Sequence, residues 1–145
     1  LGPERFDFAF RTYIKRWAWR SPRPADFFRT MEDAAGADLA WFWRGWFLEN
    51  ATLDQAVEDV TQASERRGAR LRFANRSRMV LPLEFTVTYA DGTSETRKMP
   101  VEAWYRSDRL DVRLEKKVAV QSVEIDPAGK LPDIERKNNL WKREQ

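Results

Sequence analysis

Apolar side chains recur at helical spacing in the first part of the chain. A first helix is predicted to open at Pro3, because proline is tolerated in the first turn, and its apolar positions lie three or four residues apart. Two prolines within residues 21–24 interrupt it, and a second helix is predicted from Pro24 to Gly36, a residue that suits a helix C-terminus. The apolar positions of the first helix are Phe6, Phe10, Tyr13, Ile14 and Trp17.

A third helix is predicted directly after Gly36. Asp38 can act as its N-cap, since a short acidic side chain accepts a hydrogen bond from the first free N–H groups. Its apolar positions are Leu39, Phe42, Trp43, Trp46 and Phe47. The first part of the chain is therefore predicted to contain about three helices.

Beyond residue 50 the spacing of apolar residues changes to alternation. Runs at 71–73, 83–89 and 110–114 place apolar residues at every second position, and a further apolar run lies at 118–125; such alternation is typical of strands that bury one face. Residues 93–99 are expected to form the return strand after 83–89. Asp91-Gly92 indicates a hairpin between two of these runs. Six or seven short strands predict an antiparallel β-sandwich of immunoglobulin-like or fibronectin-like type, so the fold class is α+β.

The division of the chain follows this change of pattern. Residues 1–52 are predicted to be helical, residues 53–130 to form the sandwich, and residues 131–145 to form an extended tail pinned by Ile134 and Trp141. Residues 53–64 remain ambiguous: Leu53, Val57 and Val60 fit one face of a helix, but residues 57–61 also suit a first strand, which we favour.

Composition and charge narrow the classes of function. Apolar residues make up 42% of the chain, which is enough for a core, and charged residues make up 34%. The net charge of +3 is small and the two signs are mixed, so a nucleic-acid partner is not expected. No apolar run approaches the roughly 20 residues that cross a bilayer, and no membrane partner is expected. The first residue, Leu1, suggests a piece of a longer protein.

The chain contains no histidine and no cysteine. Zinc and other transition-metal sites are built mainly from imidazole and thiolate, and the Ser-His-Asp and Cys-His nucleophilic systems need the same groups. A carboxylate pair would remain possible, but no acidic residue lies in a recognisable motif. We therefore predict no catalytic residue, no metal ligand and no cofactor site, and we predict that this chain alone is not an enzyme.

Short motifs follow one another along nearly the whole chain. In the helical part they are Phe6-Asp7, Phe10-Arg11-x-Tyr13, Arg16-Trp17, Pro24-Ala-Asp26-Phe27-Phe28, Met31-Glu32, Gly36-x-Asp38-Leu39 and Trp41-Phe42-Trp43-x-x-Trp46-Phe47. Later they are Leu81-Pro82-Leu83-Glu84, Tyr89-Ala-Asp91-Gly92-Thr93, Pro100-Val101-Glu102-x-Trp104, Ile125-Asp126-Pro127, Leu131-Pro132-Asp133 and Asn138-Asn139-x-Trp141. The series resembles the C-terminal part of aminopeptidase-N-like zinc metallopeptidases of bacterial type.

This resemblance implies a non-catalytic role for the chain within a larger enzyme. Residues 1–52 would be the helical end of the catalytic domain, and the sandwich would support that domain and limit access to its cleft. In such enzymes an H-E-x-x-H helix and a later Glu hold the zinc, and these residues precede the part that this chain resembles. The resemblance thus implies zinc in the parent enzyme, none in this chain, and the remainder of the parent as partner.

Seven aromatic residues are candidate contacts with that remainder. Aromatic residues at helical spacing mainly pack against neighbouring helices, and we favour that role here. For residues 41–47, one alternative is a platform that stacks on sugars. The other is membrane insertion, which the charged residues Asp38, Arg44 and Glu49 disfavour. Helices suited to a larger lobe are also expected to self-associate when isolated. The seven residues are Phe10, Trp17, Phe28, Trp43, Trp46, Phe47 and Trp104.

Two further alternatives stay open at this stage. The basic positions Arg11, Lys15, Arg16, Arg20 and Arg23 could face a substrate carboxylate, although a solvated helix face is favoured. The sandwich could be a free-standing binding module for a protein, peptide or glycan, because sandwich folds host many binding functions.

Overall fold

Helices occupy the first part of the chain and strands the remainder, in a computed structural model that describes residues 1–62 and 67–144. The predicted α+β class is confirmed: three helices are followed by two antiparallel sheets. The chain divides into a helical unit, Leu1–Leu48, and a sandwich unit, Glu49–Gln145. Each unit is described by itself below.

The helical unit begins with two helices that both open on proline. Helix α1 spans Pro3–Trp17 and α2 spans Pro24–Ala35. The carboxylate of Asp26 accepts a hydrogen bond from the Arg23 backbone N–H at 2.8 Å, which fixes the entry into α2. Gly36 ends α2 at φ 60°, a left-handed conformation that glycine adopts without steric cost.

The third helix is short and passes into a π-helix. Helix α3 spans Ala40–Trp43, and the π-helical turn follows at Arg44–Leu48. The prediction that Asp38 is the N-cap is wrong by one residue, since Leu39 occupies that position. The Asp38 carboxylate nevertheless accepts a hydrogen bond from the Ala40 N–H at 2.9 Å, so it still satisfies a backbone donor at the start of the helix.

A small core holds the helical unit together. Ala9, Met31, Ala35 and Trp43 are its buried members among the described residues. Glu32 adds a polar tie, because one oxygen of its carboxylate accepts hydrogen bonds from the Trp43 indole N–H and the Leu39 backbone N–H, both at 3.1 Å. This carboxylate therefore fixes α3 against α2.

The sandwich unit contains seven strands within the described ranges. One sheet has the order β1-β2-β5 and the other has the order β4-β3-β6-β7, with every pairing antiparallel. The fourth strand pairs with the third, whereas in immunoglobulin constant domains it joins the sheet of the first two; the arrangement is thus the fibronectin-like variant. The strands are β1 Gln55–Thr61, β2 Arg70–Asn75, β3 Leu83–Tyr89, β4 Ser94–Met99, β5 Arg109–Arg113, β6 Val120–Ile125 and β7 Leu140–Lys142.

The two sheets bury their alternating residues against each other. On β3 every second residue is fully buried, from Leu83 to Tyr89, and the rings of Phe73 and Phe85 lie 4.6 Å apart across the core. Strand β1 settles the ambiguity over residues 55–61 in favour of a strand, while residues 63 and 64 of that segment lie outside the described residues.

The segment after Pro132 differs from the predicted extended tail. It forms a short 3-10 helix, Arg136–Asn139, and then β7. The expectation that Ile134 anchors it is wrong, because that side chain is 62% exposed. Polar groups anchor this strap instead: Asp133 accepts a hydrogen bond from the Gln55 N–H at 2.8 Å, and Trp141 packs on the core as predicted.

Candidate functional site

The apolar face of α1 is wider than the part that α2 covers. Towards α2, Ala9 is fully buried and the Tyr13 ring meets the edge of Phe27 at a centroid distance of 4.9 Å. Next to this covered part, residues spaced four apart share a face of the helix. That face carries Phe6, Phe10 and Ile14, which are 50%, 41% and 50% exposed. We call these three residues the α1 stripe.

An apolar hollow of about 680 Å³ opens in the same unit. Phe6 contributes to it from α1, Phe27 and Met31 from α2, and Phe42 and Phe47 from the third helical segment. All of its lining residues are apolar. Pockets of this size and lining suit an apolar side chain or ligand, so the stripe and the hollow together form the candidate site.

The seven aromatic residues predicted as contacts fall into three groups. Phe10, Trp46 and Phe47 are exposed, and Phe28 and Trp17 are partly buried. Phe28 stacks on Trp43 at a centroid distance of 4.6 Å. The last two, Trp43 and Trp104, lie inside the cores of their own units at 6% exposure each, so little of their surface is left for another protein.

Trp104 has a local role that its structure makes plain. It ends the 3-10 helix Val101–Trp104 and belongs to the core of the sandwich. Its indole N–H donates a hydrogen bond to the Leu81 carbonyl at 3.0 Å, which satisfies the polar atom of a buried tryptophan. These contacts place Trp104 in the core of the sandwich.

The basic residues of α1 and the following turn are only partly paired. Arg11 forms an ion pair with Asp7 at 2.8 Å, and Arg16 reaches both Thr30 and Asp33, at 3.4 and 3.5 Å. Within residues 1–62 and 67–144, no carboxylate pairs with the side chain of Lys15, Arg20 or Arg23. The end of α1 therefore carries unpaired positive charge.

Sequence reasoning missed Trp19, which follows α1 directly. Its backbone has a φ of 63° and its side chain is fully exposed, at a relative area of 104%. The signal that could have found it is the placement of a tryptophan between the end of a helix and a proline-rich break, where turn residues such as glycine are usual.

Two carboxylates of the sandwich unit have a lowered pKa, Asp91 and Asp111, and Asp91 lies in the turn between β3 and β4. Lys116 and Thr93 hold the pKa of Asp91 down to about 2, and Lys116 lies 2.8 Å from it. Burial, followed by a hydrogen bond to Glu95, raises the pKa of Tyr89. Lys116 also lies 4.5 Å from the centroid of the Tyr89 ring, so these groups brace the β3–β4 hairpin.

In the part of the chain that the structure describes, no three side chains of His, Cys, Asp or Glu converge on a point. No helix in the same residues has the length and apolar character that a membrane span requires.

Comparison with known proteins adds no family to this description. No protein-family model matches the chain, and no curated protein matches it.

Proposed function

We propose that this chain is the non-catalytic C-terminal region of an aminopeptidase-N-like zinc metallopeptidase. Its helical unit docks on the rest of the parent protein, and its sandwich supports the catalytic lobe and limits access to the cleft. The observation that carries the proposal is the α1 stripe beside an open apolar hollow.

The energetics of the stripe support a docking role. Complete burial of a large apolar side chain is worth about 1.5–3 kcal/mol, so covering three side chains that are about half exposed would gain on the order of 3 kcal/mol. Exposed apolar side chains that adjoin one another are suited to contact with another protein. A lobe that lies over the stripe and fills the hollow would use both features.

The chemistry of the side chains supports an indirect contribution. With no imidazole and no thiolate, the chain offers a hydrolytic zinc only carboxylates, and in the described residues these do not gather. In this proposal the metal ligands and the general base belong to the polypeptide that precedes Leu1. The residues of this chain position that polypeptide.

The test uses the full coding sequence of the parent. Replacing the α1 stripe by serine (F6S/F10S/I14S) is expected to lower kcat/KM for aminoacyl substrates at least tenfold, because the catalytic lobe loses the apolar surface on which it packs. The matched control places serine at three exposed apolar positions of the sandwich unit (Y105S/I134S/L140S) and is expected to leave kcat/KM within twofold.

Three results would contradict the proposal. An upstream reading frame without H-E-x-x-H would show that the parent is not a zinc peptidase of this type. Equal kcat/KM values for the stripe variant and the control variant would show that the α1 stripe is not a docking surface. If the parent folds and retains its kcat/KM after deletion of residues 53–145, the sandwich does not support the catalytic lobe.

A binding function of the sandwich is the second candidate, and one observation favours it. A cavity of about 860 Å³ in the sandwich unit is lined in part by Arg70 and Arg113, which lie directly opposite each other on β2 and β5. Like charges in opposed positions are unfavourable; Asp111, whose pKa Arg72 and then these two arginines lower, and Glu115 of the same cavity offset part of the repulsion, and a carboxylate ligand would offset more. Calorimetric titration of the chain with a short oligoglutamate peptide, compared with R70Q/R113Q, separates this candidate from the first.

A further inference from the structure

The turn after α1 places a tryptophan in a position that favours glycine. The Arg20 N–H donates a hydrogen bond to the Trp17 carbonyl at 3.0 Å, which closes a four-residue turn. Ala18 has φ −52° and ψ 134°, and Trp19 follows at φ 63°. These angles are close to those of a type II turn, whose third residue needs a positive φ and is usually glycine.

Neither the backbone nor the side chain of Trp19 contributes to the stability of the helical unit. A residue with a Cβ atom in the left-handed region costs about 1–2 kcal/mol. The indole is fully exposed, so no burial offsets that cost. Backbone outliers of this kind cluster at functional sites, and a contact outside the unit would explain why the largest side chain occurs here.

The charges around the turn define the chemistry of that contact. Lys15, Arg20 and Arg23 are exposed, and no carboxylate in residues 1–62 or 67–144 pairs with them. Asp26, the nearest acidic residue after the turn, accepts the Arg23 backbone N–H. A complementary surface therefore carries carboxylates. Tryptophan and arginine are also enriched at the positions that dominate binding energy in protein interfaces.

We propose that Trp19 anchors the helical unit to an acidic surface of the parent polypeptide that precedes Leu1. The indole enters an apolar pocket there, and Asp and Glu side chains at its rim pair with Lys15, Arg20 and Arg23. This inference rests on the proposed function and specifies the partner's chemistry. A second copy of this chain, with a net charge of +3, is a poor match for the same positive turn.

The experiment measures binding between two separately produced polypeptides, this 145-residue chain and the part of the parent that precedes it. Trp19→Gly is expected to raise the Kd at least tenfold. It is not expected to lower the thermal midpoint of the free chain, because glycine suits the turn. Ile134→Ala, which trims an exposed apolar side chain of the strap, is the matched control and is expected to bind as the wild type.

Charge reversal provides the second arm of this test. R20E/R23E is expected to raise the Kd, and the wild-type affinity is expected to fall between 50 and about 500 mM salt, because exposed charge pairs are screened. Both effects follow from carboxylates on the partner surface.

The outcomes separate the inference from the proposed function. If the wild-type chain does not bind the preceding polypeptide, the proposed function fails. If the wild type binds and Trp19→Gly binds equally well, the proposed function stands and the Trp19 anchor is wrong. A Trp19→Gly variant whose thermal midpoint drops would assign Trp19 to the fold instead. Trp19-dependent binding of wild-type chain to vesicles of phosphatidylcholine and phosphatidylserine, without binding to the polypeptide, would replace the protein partner with an anionic lipid surface.

Discussion

The two units of this chain use their apolar residues in opposite ways. The sandwich unit buries a cluster of fourteen residues between its sheets, whereas the helical unit buries a cluster of four, counted over the described residues. Yet thirteen of the nineteen aromatic residues of the sequence lie in the helical part. The sandwich therefore completes its core by itself, and the helical unit carries more apolar surface than its own packing consumes.

This difference indicates which unit depends on a partner. In the sandwich the strap contacts the start of β1, because Asp133 accepts the Gln55 N–H and pairs with Leu53 just before that strand. In the helical unit the α1 stripe and the hollow have no such cover among the described residues of that unit. The contrast predicts that substitutions in the sandwich act on stability and those on the helical surface act on association.

The largest expected effect comes from truncating the core of the sandwich. Phe85→Ala removes a fully buried ring and is expected to lower the free energy of unfolding by about 3–5 kcal/mol. Phe10→Ala, at a position that is 41% exposed, is expected to lower it by only about 1 kcal/mol. Denaturant unfolding followed by circular dichroism measures both, and equal losses would contradict the contrast.

A glycine substitution sharpens the same contrast at the level of the backbone. A Cβ atom on Gly68 would lie 1.7 Å from the Leu114 carbonyl oxygen, so Gly68→Ala is expected to destabilise the sandwich by about 2–3 kcal/mol. Gly36→Ala meets open space and pays only for its positive φ, about 1–2 kcal/mol. The two thermal midpoints would be compared, and a milder effect at Gly68 would be inconsistent with the close approach of the two segments.

The strap provides a smaller effect. Asp133→Ala removes the acceptor of the Gln55 N–H, and Gln55 is fully buried, so a loss of about 1–2 kcal/mol is expected from the unpaired donor. Hydrogen exchange of the Gln55 amide should accelerate in the variant. Unchanged protection of that amide would show that the strap does not hold the start of β1.

The smallest expected effect is a dependence of stability on acid pH. Because the pKa of Asp91 is held down to about 2 from 3.8, its contribution is present above pH 4 and is lost as the pH falls towards 2. Asp91→Asn should therefore be less stable than wild type at pH 6 and should lose less stability between pH 4 and 2. Urea titrations at several pH values check this, and parallel curves for the two proteins would refute it.

The sequence predicted the sandwich more completely than the helical surface, for a physical reason. Alternation along residues 83–89 specifies both the strand and its buried face, because one period governs both. At the α1 stripe the same helical spacing fits burial within the unit and burial against a partner equally well. Phe10 and Tyr13 look alike in the sequence, but only Tyr13 packs on α2.

Other features depended on contacts that no local pattern encodes. The strap is anchored by Asp133, and the Asp126 carboxylate fixes the residues before the strap by accepting the backbone N–H groups of Lys130 and Leu131 at 3.0 and 2.8 Å. Such polar contacts have no periodicity, and hydrophobicity alone points to Ile134, whose side chain is exposed. Trp19 was missed because its importance lies in a backbone angle.

The central claim is that the α1 stripe and the hollow form a surface on which another polypeptide packs. Sedimentation velocity of the isolated chain tests this claim most directly. We predict that the wild type associates as its concentration rises, that F6S/F10S/I14S sediments as a monomer over the same range, and that Y105S/I134S/L140S associates like the wild type. A wild-type chain that remains a monomer at every concentration, with the fluorescence of buried tryptophan, would contradict the account and require the helices to complete their packing within this chain.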